Sequence, residues 1–393
     1  MFASSLRRLV GGGLVIVLSV SPTAAATITV DSSLDDLDLP PNGNCTLREA
    51  IVAANTNATV DACVAGQQGP GVTDVVIVPA GIYTLSISGT GEDQAQTGDL
   101  DLNDSVSIEG VGARLTIIDG GGLDRVFDVA GVAAAISDVT LRNGHAGGGN
   151  GGGIQNGGTL TLDRSTVADN TAGGPGGGIR NNNDIFILDS TLSGNTTNDH
   201  GGGMDDHAQS FLQNVTVSGN TVIGGGAGGG LYNLSGTNMD IMNSTVTGNN
   251  SGAGTALHNG GSTTVSNVLL VGSCDNTVAT TNGGNLESPG NGCGLNAGSD
   301  QVNVADPELG PLTDNGGDTD THALSSGGPG IDAGEAGPCP GVDQRGVARP
   351  FDGDNDGTAD CDVGAFEFNL LPLIFEDGFE SGDTSAWSNV VEN

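Results

Sequence analysis

Gly151-Gly-Gly-Ile-Gln-Asn156, Gly176-Gly-Gly-Ile-Arg-Asn181, Gly201-Gly-Gly-Met-Asp-Asp206, Gly228-Gly-Gly-Leu-Tyr-Asn233 and Gly254-Thr-Ala-Leu-His-Asn259 open five successive units spaced 25, 25, 27 and 26 residues apart. A second signature interleaves with the first: Ser165-Thr-Val-Ala-Asp-Asn170, Ser190-Thr-Leu-Ser-Gly-Asn195, Val215-Thr-Val-Ser-Gly-Asn220 and Ser244-Thr-Val-Thr-Gly-Asn249. A fixed period of this length marks a solenoid, in which each unit buries its apolar face on its neighbours. Aligned units give three apolar columns: Ile154, Ile179, Met204, Leu231 and Leu257; Leu162, Ile187, Leu212, Ile241 and Val265; Val167, Leu192, Val217, Val246 and Leu270. Three columns imply three strands per turn. Polar neighbours alternate with them, as Thr161 and Asp163 do around Leu162, which is the period of a strand. Gly and Asn interrupt the units too often for a helical repeat, and a Gly-rich flexible linker has no reason to keep apolar columns in phase. The expected fold is all-β: a single-stranded right-handed parallel β-helix, three strands per rung, with a short N-terminal capping helix.

Gly and Asn have a place in such a coil, because sharp turns between strands demand the positive φ that these residues tolerate. Asn156, Asn181, Asn233 and Asn259 are expected to stack as one hydrogen-bonded ladder, and Asn170, Asn195, Asn220 and Asn249 as another. Asp206 replaces the ladder Asn in one rung.

Outward from the rungs, residues 1–26 have the three parts of a secretory signal. Arg7 and Arg8 precede the apolar stretch 9–20, and Ala24-Ala25-Ala26 offers a cleavage site after Ala26. The apolar stretch is too short for a membrane span. Residues 27–71 are expected to form an N-terminal cap, because the open end of a solenoid must be covered. There Thr46-Leu-Arg-Glu49 reads as a capping box opening a helix with Leu47, Ala50, Ile51 and Ala54 on one face. Residues 72–272 are assigned to the β-helix, 273–368 to C-terminal cap rungs, and 369–393 to a tail. The tail is either a sorting signal or a last capping strand.

The chain of 393 residues carries 47 acidic residues against 10 Arg and no Lys, a formal charge of −37. Loss of Arg7 and Arg8 with the signal makes the remainder more acidic still. Nucleic acid, anionic lipid and polyanionic sugars are therefore disfavoured partners, since they need clustered cations.

Asn44-Cys-Thr-Leu-Arg-Glu-Ala-Ile51 resembles the Cys-Ser-Leu-Arg-Glu-Ala-Ile motif that names a domain near the start of many secreted bacterial proteins, with Thr46 in place of Ser. The Gly-Gly-Ile-x-Asn units resemble those of polymorphic outer membrane proteins and other pectin-lyase-like β-helices. Residues 307–334, Asp343-Gln-Arg-Gly346, Arg349-Pro350 and Asp362-Val-Gly-Ala-Phe-Glu367 resemble the end of choice-of-anchor Q domain proteins. These resemblances cover most of the chain after the signal and imply an exported right-handed β-helix, usually without an assigned activity. Only 26 residues follow Glu367, too few for the translocating barrel of the polymorphic proteins, so autotransport is not expected.

Six cysteines in an exported chain suggest disulfides. Of 15 pairings, the neighbours Cys45 with Cys63, Cys274 with Cys293 and Cys339 with Cys361 are simplest, because a long coil keeps its ends apart. No Cys-x-x-Cys spacing supports zinc. Asp352-Gly-Asp354-Asn-Asp356-Gly357 matches the start of a calcium loop, with Asp360 or Asp362 to complete the shell. A structural Ca²⁺ is the expected cofactor, and an acidic surface turn the competing reading.

For catalysis, the candidates are Asp184, Asp205 and Asp206, beside His207, since glycoside hydrolysis needs two carboxyl groups on one face. The Gly-His-Gly and Arg-Ile-Lys motifs of polygalacturonase-type enzymes are absent. The competing reading makes Asp205 and Asp206 an exposed turn pair, and His145, His200, His258 and His322 solvated turn residues. The sequence thus points to a non-catalytic exported protein of the cell surface or medium, adhesive or part of an envelope or matrix layer, with glycans or cell-surface proteins as partners. The alternative is a carboxylate-dependent hydrolase acting on a neutral glycan.

Overall fold

The computed structural model describes residues 25–37, 41–69 and 71–369. The expected signal lies outside these residues apart from Ala25 and Ala26, as does the tail apart from Asn369. The described chain winds into a right-handed parallel β-helix of three long sheets with ten, eight and nine strands. All three apolar columns are in register from coil to coil, for instance Ile154 on Ile179, Met204, Leu231 and Leu257, and they form the dry core. Three central coils carry a further short strand, at Thr171–Ala172, Thr196–Thr197 and Thr221–Val222.

Within the Gly triplets the positions have different reasons. The first holds a left-handed backbone, φ between 60° and 78° from Gly151 to Gly254. At the second, a Cβ on Gly152, Gly177 or Gly202 would meet the Gly carbonyl of the next coil. Accordingly Gly254-Thr255-Ala256, where the regular run ends, keeps only the first glycine. The turn between the ten- and nine-stranded sheets needs the left-handed conformation at Asp138, Arg164, Asp189, Asn214, Asn243 and Asn267. Asp and Arg therefore share a task the sequence suggested for Gly and Asn alone.

The ladder from Asn170 to Asn249 is complete. Backbone N–H and Nδ2 of each Asn donate to Oδ1 of the next, at 3.1 and 3.0 Å for Asn170 on Asn195. Each Nδ2 makes a second bond to a core-strand carbonyl, that of Leu141, Val167, Leu192 or Val217. These buried amides are thereby satisfied, as buried polar groups must be.

At the N-terminus the helix Leu47–Thr56 carries the capping box of Thr46 and Glu49 and buries Leu47, Ala50, Ile51 and Ala54 over the first coils. Arg48, also buried, pairs with Asp35 at 2.5 Å and donates to the carbonyls of Ala95, Gly98 and Asp99. One boundary moves: Thr27–Thr29 pairs in parallel with Asp74–Ile77, so the ten-stranded sheet begins inside the segment assigned to the cap. The three disulfides join neighbouring cysteines, as expected.

The expectation of cap rungs as far as residue 368 is corrected. After one irregular coil at Cys274–Asp275, Thr280–Thr281 and Leu286–Ser288, the chain reverses. Residues 309–367 return along the outer face of the nine-stranded sheet as a clasp. The physical reason is a row of outward hydroxyls, Thr191, Thr216 and Thr245, stacked in register. Gln344 donates to Thr191 Oγ1 at 2.9 Å and accepts from Thr216 Oγ1 at 2.6 Å, Ser218 bonds His322 at 2.8 Å, and Thr245 Oγ1 accepts from the Ala365 N–H. Farther along, Arg114 pairs with Asp314 and Asp320. At the C-terminal end of the same row Leu269 and Leu286 follow the threonines and pack with Leu324, Ile331, Val363 and Phe366 of the clasp in a small apolar cluster. Asp343, Gln344, Arg349, Asp362 and Glu367, which carried the resemblance at this end, are buried inside the clasp.

Candidate functional site

In each unit the strand Ile-x-Asn turns Ile and Asn inward, so alternation points x outward. On the eight-stranded sheet these outward positions form one register column: Asp101, Asp128, Gln155, Arg180, Asp205, Tyr232, His258 and Asp275. Every member is a polar side chain of at least the size of Asp, at the strand spacing of about 4.8 Å.

At its centre, Arg180 is paired with the Asp205 carboxylate and donates through Nε to Asn182 Oδ1 at 3.0 Å. Its Nη2 lies 3.0 Å from His207 Nδ1, while His207 Nε2 lies 3.2 Å from Asp205 Oδ2. Arginine only donates, so His207 carries its proton on Nε2. Asp205 is fully buried beneath these groups and its Oδ1 has no partner. The next residue, Asp206, points the other way. It accepts from Asn181 Nδ2 at 2.7 Å, Ser210 Oγ at 2.8 Å and the Ala208 N–H at 3.3 Å. Burial pushes it up to about 6, against the pull of these hydrogen bonds. Asp205 and Asp206 are therefore not an exposed turn pair, and they stand on opposite sides of the strand Met204–Asp206, so they do not flank one glycosidic bond. Asp184 sits on a turn before Ile185–Leu188, where its backbone carbonyl accepts from Leu160.

Two histidines expected in solvated turns belong to a stack instead. His200 lies 4.6 Å from Tyr232, and Tyr232 lies 4.5 Å from His258, with interplanar angles of 22° and 4°. His258 Nδ1 is 2.7 Å from Asp275 Oδ2. Both faces of Tyr232 are covered, so the stack presents ring edges with their N–H and O–H groups. His322 belongs to the clasp, bonded to Ser218 and the Gly310 carbonyl. His145 alone of the four is an exposed residue beside a turn, as expected.

At the N-terminal end of the column, carboxylate oxygens of Asp99, Asp101 and Asp128 lie within 4.8 Å of one another. Arg125 Nη1 reaches Asp99 at 2.9 Å and Asp128 at 2.8 Å, and Gln155 donates to Asp128. Burial pushes both Asp99 and Asp101 up to about 7, Arg125 opposing this at Asp99 and the Ala95 N–H at Asp101. The column is not legible in the sequence, because its members share no residue type and its one trace is the unrepeated x of Gly-Gly-Ile-x-Asn.

Of the five expected calcium ligands, Asp352 and Asp354 come together, and the third member is Asp332, which lies outside the Asp-rich motif. Asp332 accepts from the N–H groups of Gly353, Asp354 and Asp360. Asp356 is exposed and accepts from Thr358. Asp362 is drawn inward beside Glu367, where burial first and that neighbour second push it up to about 8. Asp352 Oδ1 is buried without a partner.

No family model and no curated protein matches this chain. Among solved structures, the crystal structure of pectate lyase Pel9A is similar over 89% of this chain and 98% of its own, at 15% identity and a TM-score of 0.39.

Proposed function

We propose that the chain is an exported, non-catalytic glycan-binding β-helix of the cell surface or extracellular medium, whose binding face is the outer column of the eight-stranded sheet. The observation that carries this reading is the column from Asp101 to Asp275 of donors and acceptors at one-strand spacing, comparable to the advance of a sugar chain per residue, in which Asp101 and Asp205 are buried and Asp128, Gln155, Arg180, Tyr232, His258 and Asp275 reach the surface. The excess of carboxylates favours neutral over uronate polymers. Three disulfides fit an oxidising compartment, and no helix among the described residues is long and apolar enough to cross a membrane. Binding of Tyr232→Ala and Arg180→Ala to a neutral glycan array tests it. Each should lose roughly tenfold or more in affinity, the scale of 1.4 kcal/mol, Tyr232→Ala with unchanged melting and Arg180→Ala with a lowered melting temperature, because Asp205 then stays buried without its cation; parental binding by both would end the proposal.

The second reading, a carboxylate-dependent hydrolase, is favoured by the Asp101 and Asp128 pair, where an acid holds its proton near neutrality beside a second carboxyl group. Product release from a neutral polysaccharide, abolished by Asp128→Asn, would replace the first reading with this one.

We also propose a structural Ca²⁺ in the clasp, held by Asp352, Asp354 and Asp332. The orphaned Oδ1 of Asp352 supports it, offering a lone pair to a hard cation. Chelator should lower the melting temperature of the parent and leave Asp352→Asn unmoved; a parent indifferent to chelator refutes the ion.

A further inference from the structure

The outer face of the ten-stranded sheet is polar at Thr161, Asp240 and Thr264, and between them it is apolar apart from Gln213, which stands between Leu188 and Met242. Phe186 and Phe211 are register partners, Leu188 stands two residues beyond Phe186 on the same face, and Met242 lies diagonally across from Phe211. Phe186 is 42% exposed. Single exposed apolar residues are ordinary, but a contiguous group with two aromatic rings marks a contact surface.

We propose that this face is the docking site for residues 370–375 of the same chain, Leu370-Leu-Pro-Leu-Ile-Phe375. Two observations select this occupant. The first is composition: 24 residues follow the described structure, and the first six are all nonpolar in an otherwise acidic sequence. The second is where the described chain ends. The Glu367 N–H donates to Asp343 at 2.9 Å, and Arg345 Nη2 donates to the Glu367 carbonyl at 2.6 Å. The neighbour of Asp343, Val342, accepts from Asn214 Nδ2 at 3.1 Å, and Asn214 directly follows the strand Gln209–Gln213 that carries Phe211. Phe368, whose N–H is held by Asp362, and Asn369 follow before the described chain ends, so it leaves the clasp within two residues of these contacts. Six extended residues span about 20 Å, enough to cross from there to Phe186. Val342 and Phe351, 41% and 37% exposed, lie at the start of that path.

Hydroxyl-radical footprinting read by mass spectrometry tests the assignment on three proteins: the full chain, a chain ending at Asn369, and full-length Leu371→Asp/Ile374→Asp. Oxidation of Phe186 and Phe211 should be several-fold faster in the second and third than in the first, with melting temperature and disulfides retained in all. Equal oxidation in all three overturns the proposal. So does protection that persists in the shortened chain, whether it runs as a monomer or as a dimer in light scattering, because the occupant is then something other than the tail.

Discussion

A single amide in the ladder makes four hydrogen bonds, and its loss measures them. Asn195 receives two bonds on Oδ1 from Asn170 and gives two from Nδ2, to Asn220 and to the Val167 carbonyl. Asn195→Ala leaves buried partners unmet, and stability should fall by about 3 kcal/mol, at the upper end for such groups, in denaturant unfolding. Asp206 is the converse case. Its pKa is higher folded than unfolded, so its contribution to stability is fully present below about pH 4 and is lost as pH rises through about 6. Asp206→Asn should therefore melt with the parent near pH 4 and be more stable above pH 6, by on the order of 1–3 kcal/mol. A constant offset across that range would show that the carboxyl does not titrate in the fold. The Asn170 ladder was legible in the sequence because identical residues recur at the coil period, whereas the one expected through Asn156, Asn181, Asn233 and Asn259 is interrupted at Asp206, which bonds Asn181, while Asn233 bonds Asn259 and Thr237. Arg180, Asp205 and Tyr232 were not legible as neighbours, since adjacency across coils is set by spacing and their chemistries differ.

Strands, turns and the capping helix were legible for a related reason: each is built from local signals, alternation in one case and the Thr46 to Glu49 box in the other. The clasp was not. Its contacts join residues more than a hundred positions apart, such as Gln344 with Thr216 and Thr191, and no periodicity reports them. The Asp-Gln-Arg-Gly and Asp-Val-Gly-Ala-Phe-Glu stretches were recognised as a resemblance, yet only the fold shows that Arg345 pairs with Asp343 and covers the Phe366 ring. Gln344→Ala removes bonds to Thr191, Thr216 and Thr319 and should loosen this element by about 1–3 kcal/mol. Hydrogen exchange should rise at Leu309–Thr313 and Thr321–Leu324 while the strand Ile154–Asn156 is unaffected. Equal loosening of both would mean that clasp and coil open as one unit.

For the whole molecule, acidity and architecture act together. Buried carboxyls at Asp99, Asp101 and Asp362, raised to about 7, 7 and 8, all favour the folded state at low pH and lose that contribution as pH rises through those values. Acidification from pH 8 to pH 5 should raise the melting temperature. Calorimetry showing a fall over that interval would contradict the assigned burial effects. In most solenoids contact is confined to adjacent repeats, and units are gained or lost with little penalty beyond their own share.

This coil is constrained otherwise, because its returning segment touches Arg114, Thr191, Ser218 and Thr245 in turn. It works as a gauge laid along the axis, with marks that agree only for one number of turns. Excising 176–200 would leave a sealed, shorter cylinder whose marks no longer coincide. Variation in length is thereby directed to places the gauge does not span, before Arg114 or among the loops beside the eight-stranded sheet.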